Sequence, residues 1–131
     1  MDRQTLDYVR RRAGERCEYC GLSQAQFPSL RFHTEHIRAR QHQGSDAPDN
    51  LCLACPFCNL QKGTNQSAYD PTSGQLVRLF NPRTDIWQEH FRSEQGLITG
   101  LTPEGRSTVA LLQMNRTQLI RLRQTVVNAE T

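Results

Sequence analysis

The chain has 131 residues, with 16 Lys+Arg against 13 Asp+Glu for a formal charge of +3. Hydrophobic residues make up 36% and the mean hydropathy is -0.69, which is polar for a globular protein but outside the disordered class. No apolar run approaches the ~20 residues of a membrane helix, and Met1–Gln4 has no leader-like apolar stretch, so a soluble cytoplasmic protein is expected.

Residues 3–13 read as a helix. Leu6, Val9 and Ala13 fall on one stripe of a charged segment, with Thr5 or Asp2 as cap and Gly14 as terminator. Leu30–Ile37 reads as a strand, with Phe32, Thr34 and His36 on one face and His33 and Glu35 on the other. A polar loop, Gln41–Asp49, is punctuated by Gly44 and Pro48. Leu51–Ala54 is a second short strand, and a short helix is expected from Asn59 to about Gln66. Asp70–Gly74 then forms a turn. Gln75–Phe80, Ile86–Arg92 and Leu97–Leu101 are strand-like. Thr102 caps a helix with Pro103 at its first position. Asn115 is expected to cap a final helix whose apolar face is Leu119, Ile120, Leu122, Val126 and Val127.

The five cysteines carry the first chemical signal. Cys17-x-x-Cys20 and Cys55-x-x-Cys58 are separated by 34 residues, a spacing suited to one tetrahedral four-cysteine zinc site. A redox pair would need only one such motif. Cys52 also makes a C-x-x-C with Cys55. A knuckle wants a residue tolerant of positive φ after its second cysteine. Gly21 and Asn59 meet that need and Pro56 does not. Cys17, Cys20, Cys55 and Cys58 are therefore the expected zinc ligands, and Cys52 a buried strand residue. Four thiolates around one Zn2+ would lower the formal charge to about +1, so any basic groove must be local. Lys62 is the only lysine; the other cations are arginines. Their planar fork suits phosphate, although a compositional bias on a solvated surface gives the same pattern.

Between the knuckles lie Glu35-His36-Ile37, Asp49-Asn50-Leu51 and Cys58-Asn59-Leu60-Gln61-Lys62-Gly63. A carboxylate and an amide oxygen can hold a hard divalent cation, and a neutral imidazole can deprotonate a water. This suits phosphodiester hydrolysis. The ordered pattern over residues 17–63 resembles the HNH endonuclease family, in its form braced by a four-cysteine zinc site, with Asn59 where a strict member has its last histidine. The resemblance implies an α+β fold: a ββα-metal module with its N-terminal helix over residues 1–66. A C-terminal β-meander with two helices, residues 67–131, would pack on it. It implies His36 as general base, Asn50 as the residue orienting His36, and Glu35 and Asn59 as ligands of a catalytic ion. The amide ligand favours Mg2+ or Mn2+. DNA is the implied partner, and a further protein partner stays open.

Candidate DNA contacts are Lys62, Arg38, Arg40 and His33. Lys62 is equally readable as solvated, and His33 as an extra ligand or a plain surface residue. His90 is readable as a missing third histidine, but on a half-buried strand beside Trp87 and Phe91 a packing or hydrogen-bonded role is expected of it. The seven tail arginines lie on a segment read first as scaffold, with Phe80, Trp87 and Phe91 as its core. A chain of this length leaves little room for a sequence-reading module, so weak specificity is expected. The competing reading is a zinc-braced nucleic-acid-binding module without catalysis.

Overall fold

A computed structural model describes residues 1–130, with side chains through Thr125. They fall into two compact units, residues 1–65 and residues 66 onward. Helix and short strand are mixed in both, an α+β composition.

In the first unit, α1 (Arg3–Arg12) is capped by Asp2, whose carboxylate accepts the Thr5 amide at 2.8 Å. Strands β1 (His33–His36) and β2 (Leu51–Ala54) pair antiparallel, with Glu35 opposite Cys52 and His36 opposite Leu51. Helix α2 (Pro56–Lys62) follows β2 and packs on both strands, as does α1. All four residues of β2 are buried, in a core with Val9, Tyr19, Leu22 and Phe32. Each fully buried Leu or Val there contributes roughly 1.5–3 kcal/mol. Arg12 ties α1 to the β1–β2 connection by donating to the Pro48 and Leu51 carbonyls at 2.9 and 2.6 Å.

Two local expectations change here. The strand begins at His33 rather than Leu30, because the Gln24 side chain takes up the preceding backbone. Its amide donates to the Phe27 and Leu30 carbonyls and accepts from Phe32 N–H, so those groups are unavailable to a strand ladder. Helix α2 begins at Pro56, three residues earlier than expected. Pro56 occupies the first helical position, and the Cys55 thiol caps it by accepting the Cys58 amide at 3.4 Å.

The second unit holds two separate hairpins in place of the expected meander. Strands β3 (Ser67–Tyr69) and β4 (Leu76–Arg78) pair across the Asp70–Gln75 turn, and β5 (Phe91–Glu94) and β6 (Leu97–Gly100) pair across Gln95–Gly96. The expected strand Ile86–Arg92 is instead a helical turn, α3 (Trp87–His90), running into β5. That turn brings the Trp87 ring 5.0 Å from Phe91, while Phe80 meets Phe91 edge-on at 5.1 Å. His90 packs against Phe80 and bonds Thr102 through Nδ1 at 2.6 Å, the packing role expected of it.

Helix α4 (Pro103–Leu112) starts as expected, with the Thr102 hydroxyl accepting the Gly105 amide at 3.0 Å. It contacts both hairpins, and Thr108 accepts the Phe80 amide. Helix α5 (Thr117–Glu130) is present, but Asn115 does not cap it. Its side-chain amide pairs with the backbone of Ile98 in β6, at 2.9 and 2.7 Å. Leu119 is buried on α5, with Ile120 and Leu122 half-buried. The side chains of Val126 and Val127 lie outside the described residues.

Several tail arginines are structural. Arg106 grips the buried Asp70 carboxylate with two bonds of 2.9 Å, Arg78 pairs with Asp85 at 2.6 Å, and Arg123 donates to the Gly96 and Met114 carbonyls.

Candidate metal centre and active-site cleft

The metal centre grows from two local turns. Cys17-x-x-Cys20 closes through Gly21 N–H to Cys17 O at 2.9 Å, with Gly21 at φ +82°, the left-handed conformation its sequence position anticipates. Glu18 then anchors this knuckle to β2, exchanging bonds with Leu53 N–H and C=O. The second knuckle is the start of α2. Asn59 is helical, not left-handed, so the positive-φ argument does not hold for this pair.

The four sulfurs of Cys17, Cys20, Cys55 and Cys58 are buried and lie within 4.8 Å of one another. Cys20 and Cys55 are 3.8 Å apart. That is far beyond a disulfide, and it equals the edge of a tetrahedron with Zn–S of about 2.3 Å, which is about 3.8 Å. Amides donate to two of the sulfurs, Cys20 N–H to Cys17 and Cys58 N–H to Cys55. Four buried soft donors within 4.8 Å of one another fit zinc. Cys52 stands outside the cluster, its thiol directed to Tyr19 Oη and Glu35 Oε2.

The other site is a cleft of about 340 Å3 at the end of β1, with lining that includes Glu35, His36, Arg40 and Asn59. It therefore gathers three of the four residues expected to act in catalysis. Their side chains diverge, as neighbours on a strand must. The His36 imidazole turns toward the β1–β2 connection, where Nε2 meets Asp46 Oδ1 at 2.7 Å. The Glu35 carboxylate turns inward, only 7% exposed, with Lys62 Nζ 3.0 Å from Oε1. Burial pushes the Glu35 carboxyl above its ordinary range, against the opposing pull of the Lys62 ammonium and hydrogen bonds from Lys62, Tyr19 and Cys52. Burial likewise raises the Cys52 thiol well above normal, helped by the Glu35 charge, so it stays protonated.

Lys62 departs most from expectation. It is 2% exposed, and its ammonium donates to Ile37 O at 3.1 Å and His36 O at 3.4 Å besides pairing with Glu35. Its place in the last turn of α2 aims it beneath β1 rather than at solvent, so it braces the strand end and is no surface phosphate contact. Arg38 is exposed, donating to His42 O at 2.6 Å. Arg40 is exposed on the cleft wall. His33 is half-buried on β1 opposite Ala54, outside the cleft lining.

Asn50 holds the loop that faces His36. Its amide oxygen accepts Arg38 N–H at 2.9 Å, its amide nitrogen donates to Arg38 O and Ser45 O, and its own carbonyl accepts Ile37 N–H. Gly44 lies inside this clamp. A Cβ there would stand 1.7 Å from Arg38 O, so no other residue fits without moving the loop. Asp46 is the functional candidate that sequence reasoning missed. Its carboxylate takes His36 and two bonds of 3.1 Å from Arg40, and those hydrogen bonds, His36 first, lower its pKa. An aspartate in a polar loop carries no spacing signal.

Glu35 and Asn59 both line the cleft, but the Glu35 carboxylate is turned inward, with Oε1 on Lys62 and Oε2 on Cys52. Oxygen donors of this kind fit a hard cation that keeps several waters, although Lys62 already offsets the Glu35 charge.

Residues 17–65, a little over a third of the chain, match the family model described as HNH endonuclease. No curated protein and no solved structure matches the chain. No described helix is long and apolar enough to cross a membrane.

Proposed function

We propose, on the match of residues 17–65 to the HNH endonuclease model, that this protein is a metal-dependent endonuclease hydrolysing phosphodiester bonds in DNA. The observation that carries the reading is one cleft lined by His36, Glu35 and Asn59 together, inside the matched segment. His36 is the general base that takes a proton from the attacking water. Glu35 and Asn59 would hold the Mg2+ or Mn2+ ion, which when bound stabilises charge on the phosphate oxygens and the leaving group. The zinc centre holds the two knuckles together and thereby fixes the start of α2, which carries Asn59 into the cleft. Arg40 on the cleft wall and the exposed Arg38 are the contacts proposed for flanking phosphates, which position the duplex without reading its sequence.

The test is nicking of supercoiled plasmid by the zinc-loaded protein, with and without Mg2+ or Mn2+. Metal-dependent nicking that disappears in His36→Ala, with zinc content unchanged, is the expected result. DNA binding without cleavage in any metal would overturn it in favour of a non-catalytic zinc-braced binding module.

A further inference from the structure

His36 does not stand alone in the cleft: the carboxylate of Asp46, ten residues along the chain, meets its Nε2 at 2.7 Å. Such a contact on an open surface is worth little by itself, and Asp46 is 49% exposed against 19% for the His36 side chain. What sets it apart is how thoroughly both partners are held. Arg40 grips Asp46 through Nε and Nη2. Asn50 fixes the loop on either side of Gly44, bonding Arg38 and Ser45. On the other partner, Ile37 N–H is bound by Asn50 O and the His36 carbonyl by Lys62. An imidazole and a carboxylate are thus fixed at contact distance from two sides.

We propose that Asp46 is the positioning residue for the His36 base, holding the imidazole in the tautomer that carries its proton on Nε2 and leaves Nδ1 to receive the proton of the attacking water. This rests on the nuclease reading and adds to it a residue and a nitrogen. An ionised carboxylate can only accept, so the proton of a neutral imidazole paired with it lies on the nitrogen it faces. The hydrogen bonds from His36 and Arg40 keep Asp46 ionised through the neutral range. In the reaction, the water's O–H bond breaks and its proton passes to Nδ1. The resulting hydroxide oxygen bonds to phosphorus as the P–O bond to the leaving oxygen breaks, and that oxygen takes a proton from solvent. The imidazolium so formed faces the Asp46 carboxylate, which stabilises it without accepting its proton. Arg40 and Asn50 act one step further out, on Asp46 itself.

The experiment uses the full zinc-loaded chain and reads the tautomer first. Long-range 15N–1H NMR, with the His36 signals assigned by their loss in His36→Ala, is expected to show the proton on Nε2 in the wild type. Asp46→Asn and Asp46→Ala are expected to shift His36 toward the other tautomer or a mixture. In the plasmid assay they should lower kcat by at least about tenfold with KM within about twofold, zinc content and circular dichroism unchanged, and Asp46→Glu should restore part of the loss. A wild-type proton on Nδ1 would overturn the proposal, as would Asp46 variants that keep wild-type kcat while His36→Ala is inactive. A wild type that cleaves nothing overturns the nuclease reading instead, and the NMR measurement still decides the tautomer.

Discussion

Replacing Lys62 with methionine tests the assignment of this residue to the interior. The side chain is 2% exposed and its ammonium satisfies three acceptors: Glu35 Oε1 at 3.0 Å, Ile37 O at 3.1 Å and His36 O at 3.4 Å. Methionine fills much the same volume but leaves a carboxylate that is 7% exposed without its counter-charge. Breaking one side of a buried pair costs about 3–5 kcal/mol. A 65-residue unit at 0.05–0.15 kcal/mol per residue has roughly 3–10 kcal/mol to lose. The variant should therefore unfold at least about 12 °C below the wild type, at 4–8 °C per kcal/mol. The assay is thermal unfolding of the full chain by far-ultraviolet circular dichroism, with zinc release followed by a chromophoric chelator. The double variant Glu35→Met/Lys62→Met should regain most of the loss, because no uncompensated charge remains. Burial already raises the Glu35 carboxyl, so the single variant's deficit should shrink as pH falls and Glu35 takes up a proton. A Lys62→Met protein within about 1 kcal/mol of wild type, but weaker on DNA, would refute this reasoning and return Lys62 to the surface as a phosphate contact.

Two further predictions concern each unit separately. Cys17→Ser removes one of four sulfurs lying within 4.8 Å of each other, so it should lose stoichiometric zinc by metal analysis and misfold or aggregate; a soluble, zinc-free, active variant would contradict the structural role. In the second unit, the Arg106 hydrogen bonds hold the Asp70 carboxyl far below its ordinary value of 3.8. A depressed native pKa adds stability that is complete above the unfolded value and is lost as pH falls from there toward the native one. Wild-type Tm should thus drop between pH 5 and pH 2 by more than that of Asp70→Asn, measured by parallel melts.

How much of this was legible in the sequence differs from feature to feature. The four-cysteine cluster was, because two C-x-x-C pairs in one chain leave few alternatives, and the same four cysteines converge in space. The strand at Leu51–Ala54 and the Thr102–Pro103 helix start were also legible, since an unbroken apolar run and a capping pair act locally. Long-range competition was not. Gln24 shortens β1 by bonding the backbone six and eight residues on, and Asn115 serves β6 instead of α5. Both are polar side chains whose partners are set by tertiary structure. In the cleft, residue types and order pointed to Glu35, His36 and Asn59. The inward turn of Glu35 onto Lys62 and the approach of Asp46 to His36 depend on loop geometry that no spacing encodes.

That loop also limits how the chain can vary. With Gly44 pressed against Arg38 O and Asn50 reaching back to both Arg38 and Ser45, the path from His36 to Asn50 is metered by residue count. Solvated positions within it, such as Gln41, are open to exchange in kind. Their number is not, since one added or deleted residue would carry Asp46 past the imidazole it meets. Homologous loops would be expected to drift in composition while holding their length, and a transplanted loop of different length would need the whole clamp brought along with it.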